Sequence, residues 1–202
     1  MSKNLLKILI KEILKEALEE NPKNKLVVMD FDDTIAKTDG KIHVVDKETK
    51  EKLFDLDPAE YAVYDKELAK MLNQDFDYSD FHKVINPKAI EWTQDILKNA
   101  IKQYGINHVL ILTARGPTAE PEIREYLIEQ GIDPKIPIIA LGDSDPQQKA
   151  NHLIRFAMQF GFDEIEFYDD SPKNIKAAEK ANEWLKKQGY NTKLKNVHVK
   201  HH

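Results

Sequence analysis

The chain has 202 residues, a formal net charge of −5 and 32% charged residues. At roughly 150 residues per domain that is one domain with an insertion; the charge is too mild for a disordered chain, and it lacks the basic character of a dedicated DNA-binding module. The sequence contains no cysteine, which excludes thiol catalysis, disulfide scaffolds and thiolate-bound zinc.

Leu5, Leu6, Leu9, Ile10, Ile13, Leu14, Ala17 and Leu18 recur at helical spacing, with Lys3, Lys7, Lys11 and Lys15 along one edge. Residues 1–21 are therefore expected to form a separate N-terminal amphipathic helix. The near-zero charge of the segment favours packing on the domain over a membrane surface. The same helix is where a homodimer would form. No apolar run reaches the roughly 18 residues of a membrane span. Met1 to Glu20 lacks the apolar stretch and cleavage site of a secretory signal, so no membrane association and a cytoplasmic location are expected.

Residues 22–202 read as one α/β domain. Leu26-Val27-Val28-Met29 is a short apolar strand, followed by Asp30-Phe31-Asp32-Asp33-Thr34. Residues 35–86 interrupt the rhythm. There, Ile42 to Val45 and Lys52 to Leu56 suggest a hairpin, Asp57-Pro58 opens a helix to about Leu72, and Asp75 to Phe81 reads as an acidic, aromatic loop. Beyond it, helices are expected from Asn86-Pro87 to about Tyr104, from Pro117 or Pro121 to before Gly131, from Asp145-Pro146 to about Phe160, and from Ser171-Pro172 to about Gln188. Strands His108 to Leu112, Ile136 to Leu141, Ile165 to Tyr168, and a weaker one near Val197 lie between and after them. The expected fold is a Rossmann-like three-layer α/β/α sandwich with a mostly parallel five-stranded sheet and a small flap or cap insertion after the first strand.

Ligands of open α/β sheets bind beyond the carboxyl ends of the strands, and that is where the polar residues gather. Asp30 and Asp32 leave the first strand, Thr113 ends the second, Asp169 and Asp170 end the fourth, and Lys149 lies in the first turn of the preceding helix. Converging carboxylates repel one another and need a cation. An all-oxygen site with room for water suits Mg²⁺, and an added threonine and lysine suit a phosphate. Each piece alone has a plain structural reading as a turn, a surface lysine or a helix cap; their order and spacing make the combination specific.

The runs Asp30-Phe31-Asp32-Asp33-Thr34, Leu112-Thr113-Ala114-Arg115, Lys149 and Asp169-Asp170-Ser171-Pro172-Lys173-Asn174 resemble the four motifs of the haloacid dehalogenase-like superfamily of phosphohydrolases. That resemblance covers residues 25 to 199. It implies Asp30 as the nucleophile and Asp32 as general acid, then base. It also implies that Thr113 and Lys149 hold the phosphate, and that Mg²⁺ is bound by Asp30, the Asp32 carbonyl and Asp170, with Thr34, Asp169 and Asn174 in support. Asn174 stands where many members carry a second acid. The presence of Asp32 argues against a dehalogenase, and Asp33 stands where the transport ATPases have lysine.

Gly142-Asp143-Ser144-Asp145 imitates the fourth motif but precedes Lys149, so it reads as a loop with Asp145 as helix cap. His198, His201 and His202 read as a disordered tail or tag remnant, and His43 and His82 have no partner visible in sequence. The gap between Thr113 and Lys149 leaves no room for a cap, so 35–86 is the one insertion. By resemblance, lightly capped members act on large or exposed phosphates. The expected activity is thus a phosphatase for a phosphorylated small molecule or a nucleic-acid end, such as a polynucleotide 3′-phosphate, with a 5′-nucleotidase, a small-metabolite phosphatase and a catalytically idle binding module as alternatives. No P-loop is present, which removes a fused kinase. Tyr61, Tyr64, Phe76, Tyr78 and Phe81 either stack on a base or form the insertion's own core, the latter being favoured.

Overall fold

The computed structural model describes residues 24–200. The expected N-terminal helix and the last two histidines, His201 and His202, lie outside the described residues. Five parallel strands form the central sheet: β1 (Lys25–Met29), β7 (Val109–Thr113), β8 (Ile138–Ala140), β9 (Glu164–Asp169) and β10 (Lys193–His198), in the order β10-β9-β1-β7-β8. Helices cover both faces, giving the Rossmann-like three-layer sandwich. Continuous apolar strands such as Leu26-Val27-Val28-Met29 require this, because alternate side chains need burial on opposite faces.

On one face, Val27, Met29, Val109 and Ile111 pack against α3 (Glu91–Tyr104) and α4 (Glu120–Glu129) through Leu97, Ala100, Ile123 and Leu127. On the other, Leu26, Val28, Leu110, Leu112, Ile165 and Phe167 pack against α5 (Pro146–Phe160) and α6 (Pro172–Lys187) through Leu153, Phe156, Ala178 and Leu185. Helix α5 starts where the sequence places it: Asp145 caps the Gln147 N–H at 3.0 Å, and proline follows in the first turn. Among the described residues no helix is long and apolar enough to cross a membrane.

The insertion is more structured than a hairpin, a helix and a loop. Strands β3 (Ile42–Asp46) and β4 (Lys52–Leu56) do pair antiparallel, but β5 (Gln74–Asp77) adds to the free side of β3, so Asp75 to Asp77 is strand rather than loop. A 3-10 turn, Ser79–His82, follows. The helix expected from Asp57 to Leu72 is two helices, α1 (Pro58–Val63) and α2 (Lys66–Met71), because Asp65 takes the Glu67 and Leu68 N–H groups and starts a new cap. At the base of the insertion β2 (Ala36–Lys37) pairs with β6 (Lys88–Ala89), so α3 begins at Glu91 rather than at Asn86-Pro87. A residue before proline is steered away from the helical region, and Asn86 sits at φ 45°. The third sheet strand is likewise shorter than Ile136 to Leu141, since Pro137 has no N–H to give.

Candidate functional site

Strand β1 lies between β7 and β9, so the chain winds outward to β8 on one side and returns to β9 on the other. The crevice of such a sheet opens at this reversal, beyond the carboxyl ends of the strands. Asp30 leaves β1 there, and its N–H continues the ladder to the Tyr168 carbonyl at 2.9 Å. Met29 pairs with Tyr168, so Asp30 and Asp169 emerge side by side. Both follow residues that face α5: Val28 before Asp30, and Phe167 before Asp169, each two positions back.

From α5 comes Lys149. It shares the buried stripe of Leu153 and Ala157, four residues apart, which aims its chain along the sheet toward the strand ends. Its Nζ lies 2.9 Å from Asp30 Oδ1 and 2.8 Å from Asp169 Oδ2. Asn174, in the first turn of α6, donates to both oxygens of Asp169 at 2.9 and 3.0 Å, and the Ser171 N–H donates to Oδ1 at 2.9 Å. Asp169 is thus fully engaged. Asp170 is less so, and completes a group in which one carboxylate oxygen each of Asp30, Asp169 and Asp170 lies within 4.8 Å of the others.

Three carboxylates face one ammonium. Burial, partly offset by Lys149 and reinforced by the neighbouring acids, raises Asp30 well above the carboxylate range. Burial and then the charges of Asp169 and Asp33 push Asp170 up to about 7. Burial works against the Lys149 proton, but Asp30 and Asp169 outweigh it and hold that lysine above its ordinary value. The uncompensated negative charge and the all-oxygen donor set fit a hard divalent cation, for which Asp30 and Asp170 offer the least occupied oxygens.

Asp32 sits apart from this cluster. Arg115 forks onto it, with Nε on Oδ2 and Nη2 on Oδ1, both at 2.7 Å, and Thr38 Oγ1 donates to Oδ1 at 2.7 Å. The turn that separates the two aspartates hangs on Phe31, which is buried against Tyr126 and whose carbonyl accepts from the Ile35 and Ala36 N–H groups. Asp33 closes that turn at φ 50°. Thr34 is buried, and its carbonyl accepts from Thr93 Oγ1 at 2.5 Å. Thr113 ends β7 one strand away from Asp30; it is buried, lies outside the ion-pair network, and its hydroxyl accepts the Arg115 N–H at 3.2 Å.

Asp143 and Asp145 form a turn and a helix cap, as expected of that loop. His198 is no tail: it belongs to β10, opposite Asp169, and its ring bonds the Asp170 carbonyl at 2.8 Å. Sequence reasoning also assigned no role to Arg115, although its place two residues beyond Thr113 at a strand end was a usable signal. Among the insertion's aromatics, Tyr61 packs edge-on against Phe76 at 5.1 Å and bonds the Tyr78 hydroxyl, while Tyr64 packs on Phe76 at 6.0 Å. Tyr61, Tyr64, Phe76 and Phe81 line the small core of Ile42, Val44 and Leu56, and Tyr78 lies at its exposed edge.

Comparison with protein-family models, with curated proteins and with solved structures gives no match. The functional reading therefore stands on the site itself.

Proposed function

We propose that this chain is a phosphomonoesterase of the haloacid dehalogenase-like kind, with Asp30 as nucleophile and Mg²⁺ as cofactor. One observation carries the reading: a buried lysine bridges the acid leaving β1 to the acid ending β9 at the reversal of the sheet, with a third carboxylate in ligand range. A solvated turn or a helix cap needs no buried ammonium, whereas a site for a dianion beside a carboxylate nucleophile does.

In the first displacement an Asp30 oxygen forms a bond to phosphorus and the ester P–O bond breaks, its electron pair leaving with the alcohol oxygen. That oxygen takes a proton from Asp32 in its acid form. In the second, Asp32 as carboxylate removes a proton from water, the water oxygen attacks phosphorus, and inorganic phosphate leaves Asp30. Arg115 and Thr38 donate to both Asp32 oxygens, which fits the carboxylate form used in this second step; the acid form of the first step requires one of these contacts to open. Lys149 keeps its charge beside Asp30 and faces the phosphoryl oxygens. Mg²⁺, held by Asp30 and Asp170 with the Asp32 carbonyl, would supply neutralisation of the remaining phosphate charge.

The insertion leaves large phosphates such as polynucleotide ends within the reading. The aromatics, however, are satisfied by one another, and this favours a second one: a small phosphomonoester, including a free nucleotide. Hydrolysis of an aryl phosphate, a nucleoside monophosphate, a sugar phosphate and a 3′-phosphorylated oligonucleotide, with Mg²⁺ and with excess chelator, tests both. Turnover of at least one, abolished by chelator, is expected. Turnover of none, or full activity in chelator, contradicts the assignment.

A further inference from the structure

The insertion holds a chain of polar contacts that reaches Asp32 through Arg115. Arg115 is buried, and its guanidinium is shared between two parts of the molecule. Nε and Nη2 go to Asp32, while Nη1 donates to the carbonyls of Phe81, at 3.1 Å, and Lys83. The rings of Phe31 and Phe81 each lie 5.5 Å from its central carbon, one from the turn after β1 and one from the insertion. The 80–83 segment is therefore half of the mount on which Asp32 is aimed.

Asp80 ties that segment to β3, beside the packing of Phe81 on the insertion's core. Its Oδ2 accepts the Lys41 N–H at 3.1 Å, and its Oδ1 faces His43 Nε2 at 3.2 Å. The other ring nitrogen of His43 lies 2.6 Å from Asp55 Oδ1. The remaining charged groups around the ring are Lys52, paired to Asp55 on β4, Asp77, opposite His43 on β5, and Lys41, just before β3. Acids therefore dominate the surroundings of this imidazole.

We infer that His43 is a remote positioning residue: its protonated ring, clamped between Asp55 and Asp80, fixes the 80–83 carbonyls on Arg115 and thereby the orientation of Asp32. A protonated imidazole donates from both nitrogens. A neutral one must turn a lone pair toward one of the two carboxylates, so one contact is lost with the proton. The hydrogen bond to Asp55 raises the proton affinity of His43 above the ordinary value of 6.5, against the effect of burial and with further help from Asp80. The sign follows: the clamp is complete below the unfolded-state value and is lost as pH rises through the higher folded one. The catalytic half of this inference rests on the phosphatase reading, whereas the mechanical half does not.

The test uses the full ¹⁵N-labelled chain. The Arg115 Nε–H resonance, assigned by its loss in Arg115→Lys, and the His43 ring protons are followed over pH, alongside kcat and KM on an aryl phosphate. The inference expects the Arg115 signal to begin exchanging with solvent over the pH range in which His43 loses its proton. His43→Gln and Asp80→Asn should speed that exchange about tenfold at pH 6, the equivalent of one charge-assisted hydrogen bond. They should lower kcat by roughly tenfold, a fraction of the ~10²–10⁴ that a general acid–base group supplies, leave KM nearly unchanged, and remove the alkaline decline that tracks His43. Lys50→Ala, which breaks the exposed Lys50–Asp75 pair on the same small sheet, should alter neither readout. An Arg115 signal indifferent to His43, or one that Lys50→Ala disturbs equally, overturns the inference. A wild-type chain that hydrolyses no phosphomonoester sinks the phosphatase reading, and the resonance still decides on the mount.

Discussion

The sandwich and its insertion are held together in different ways. In the sandwich, Phe31, Phe167, Leu97, Ile111, Leu127 and Leu153 are wholly buried, on the two faces of the sheet. The insertion's own core centres on Ile42, Val44 and Leu56 beneath a cluster of rings, and it leaves Val63 and Met71 more than four-fifths exposed. Its shape depends on rings packed edge-on, short caps, and the His43 ion pairs with Asp55 and Asp80. The difference separates two tasks. The sandwich supplies the stability that lets Asp30, Asp169 and Lys149 remain buried together, and the insertion reaches the site through the Phe81 and Lys83 carbonyls that hold Arg115 beside Asp32.

The comparison can be broken first at the sandwich's own site. Asp30→Asn should reduce turnover of an aryl phosphate below about 10⁻³ of wild type while leaving the far-ultraviolet circular dichroism unchanged, since an amide is no nucleophile at phosphorus. Lys149→Met is expected to act on the fold as well. It leaves Asp30 and Asp169 without their counter-ion, although Asp169 keeps Asn174 and the Ser171 N–H, and loss of one partner from a buried ion pair typically removes about 3–5 kcal/mol; denaturant unfolding would measure it. Phe167→Ala should remove a similar ~3–5 kcal/mol through the cavity it opens. Phe54→Ala in the insertion, where the ring is already part-exposed, should change stability by under about 1 kcal/mol. Equal losses at the two phenylalanines would erase the distinction between the regions.

A smaller effect concerns pH. Asp170 holds its proton up to about 7 in the fold and to 3.8 in its ordinary state. Between those values the folded chain binds more protons than the unfolded one, so stability falls as pH rises through that window. Thermal melts in chelator should therefore drop from pH 4 to pH 7, less steeply in Asp170→Asn. Added Mg²⁺ should raise the melting temperature most at the upper end, where the carboxylates are charged. A melt that rises with pH in chelator would contradict the burial of uncompensated acid.

Much of the sandwich was legible because its signals are local. Pro146 behind a capping aspartate, Ser171-Pro172, and apolar runs ending in aspartate each fix a boundary within a few residues. The candidate residues Asp30, Lys149, Asp169 and Asp170 were legible because strand ends and the first turn of a helix are the places a parallel sheet brings together. The insertion was less legible. A four-residue strand with one apolar ring, Phe76, between aspartates has too little pattern to be told from a loop, and Asp65 restarts a helix inside what reads as one apolar periodicity. Arg115 and His43 were harder to read for another reason: the Arg115 partners Asp32, Phe81 and Lys83 and the His43 partner Asp80 lie far off in the chain, and the His43–Asp55 contact depends on the register of the β3–β4 hairpin.

The central claim, covalent catalysis by Asp30, is tested most directly by trapping the phosphoryl group on the protein. A radiolabelled aryl phosphate is mixed with the enzyme and Mg²⁺, and the reaction is quenched in acid within one turnover. Label is expected on the wild-type chain, removable by hydroxylamine as an acyl phosphate is. It should persist longer in Asp32→Asn, whose second displacement lacks its base, and be absent from Asp30→Asn. Turnover without protein-bound label in both wild type and Asp32→Asn, or label retained in Asp30→Asn, would contradict the account.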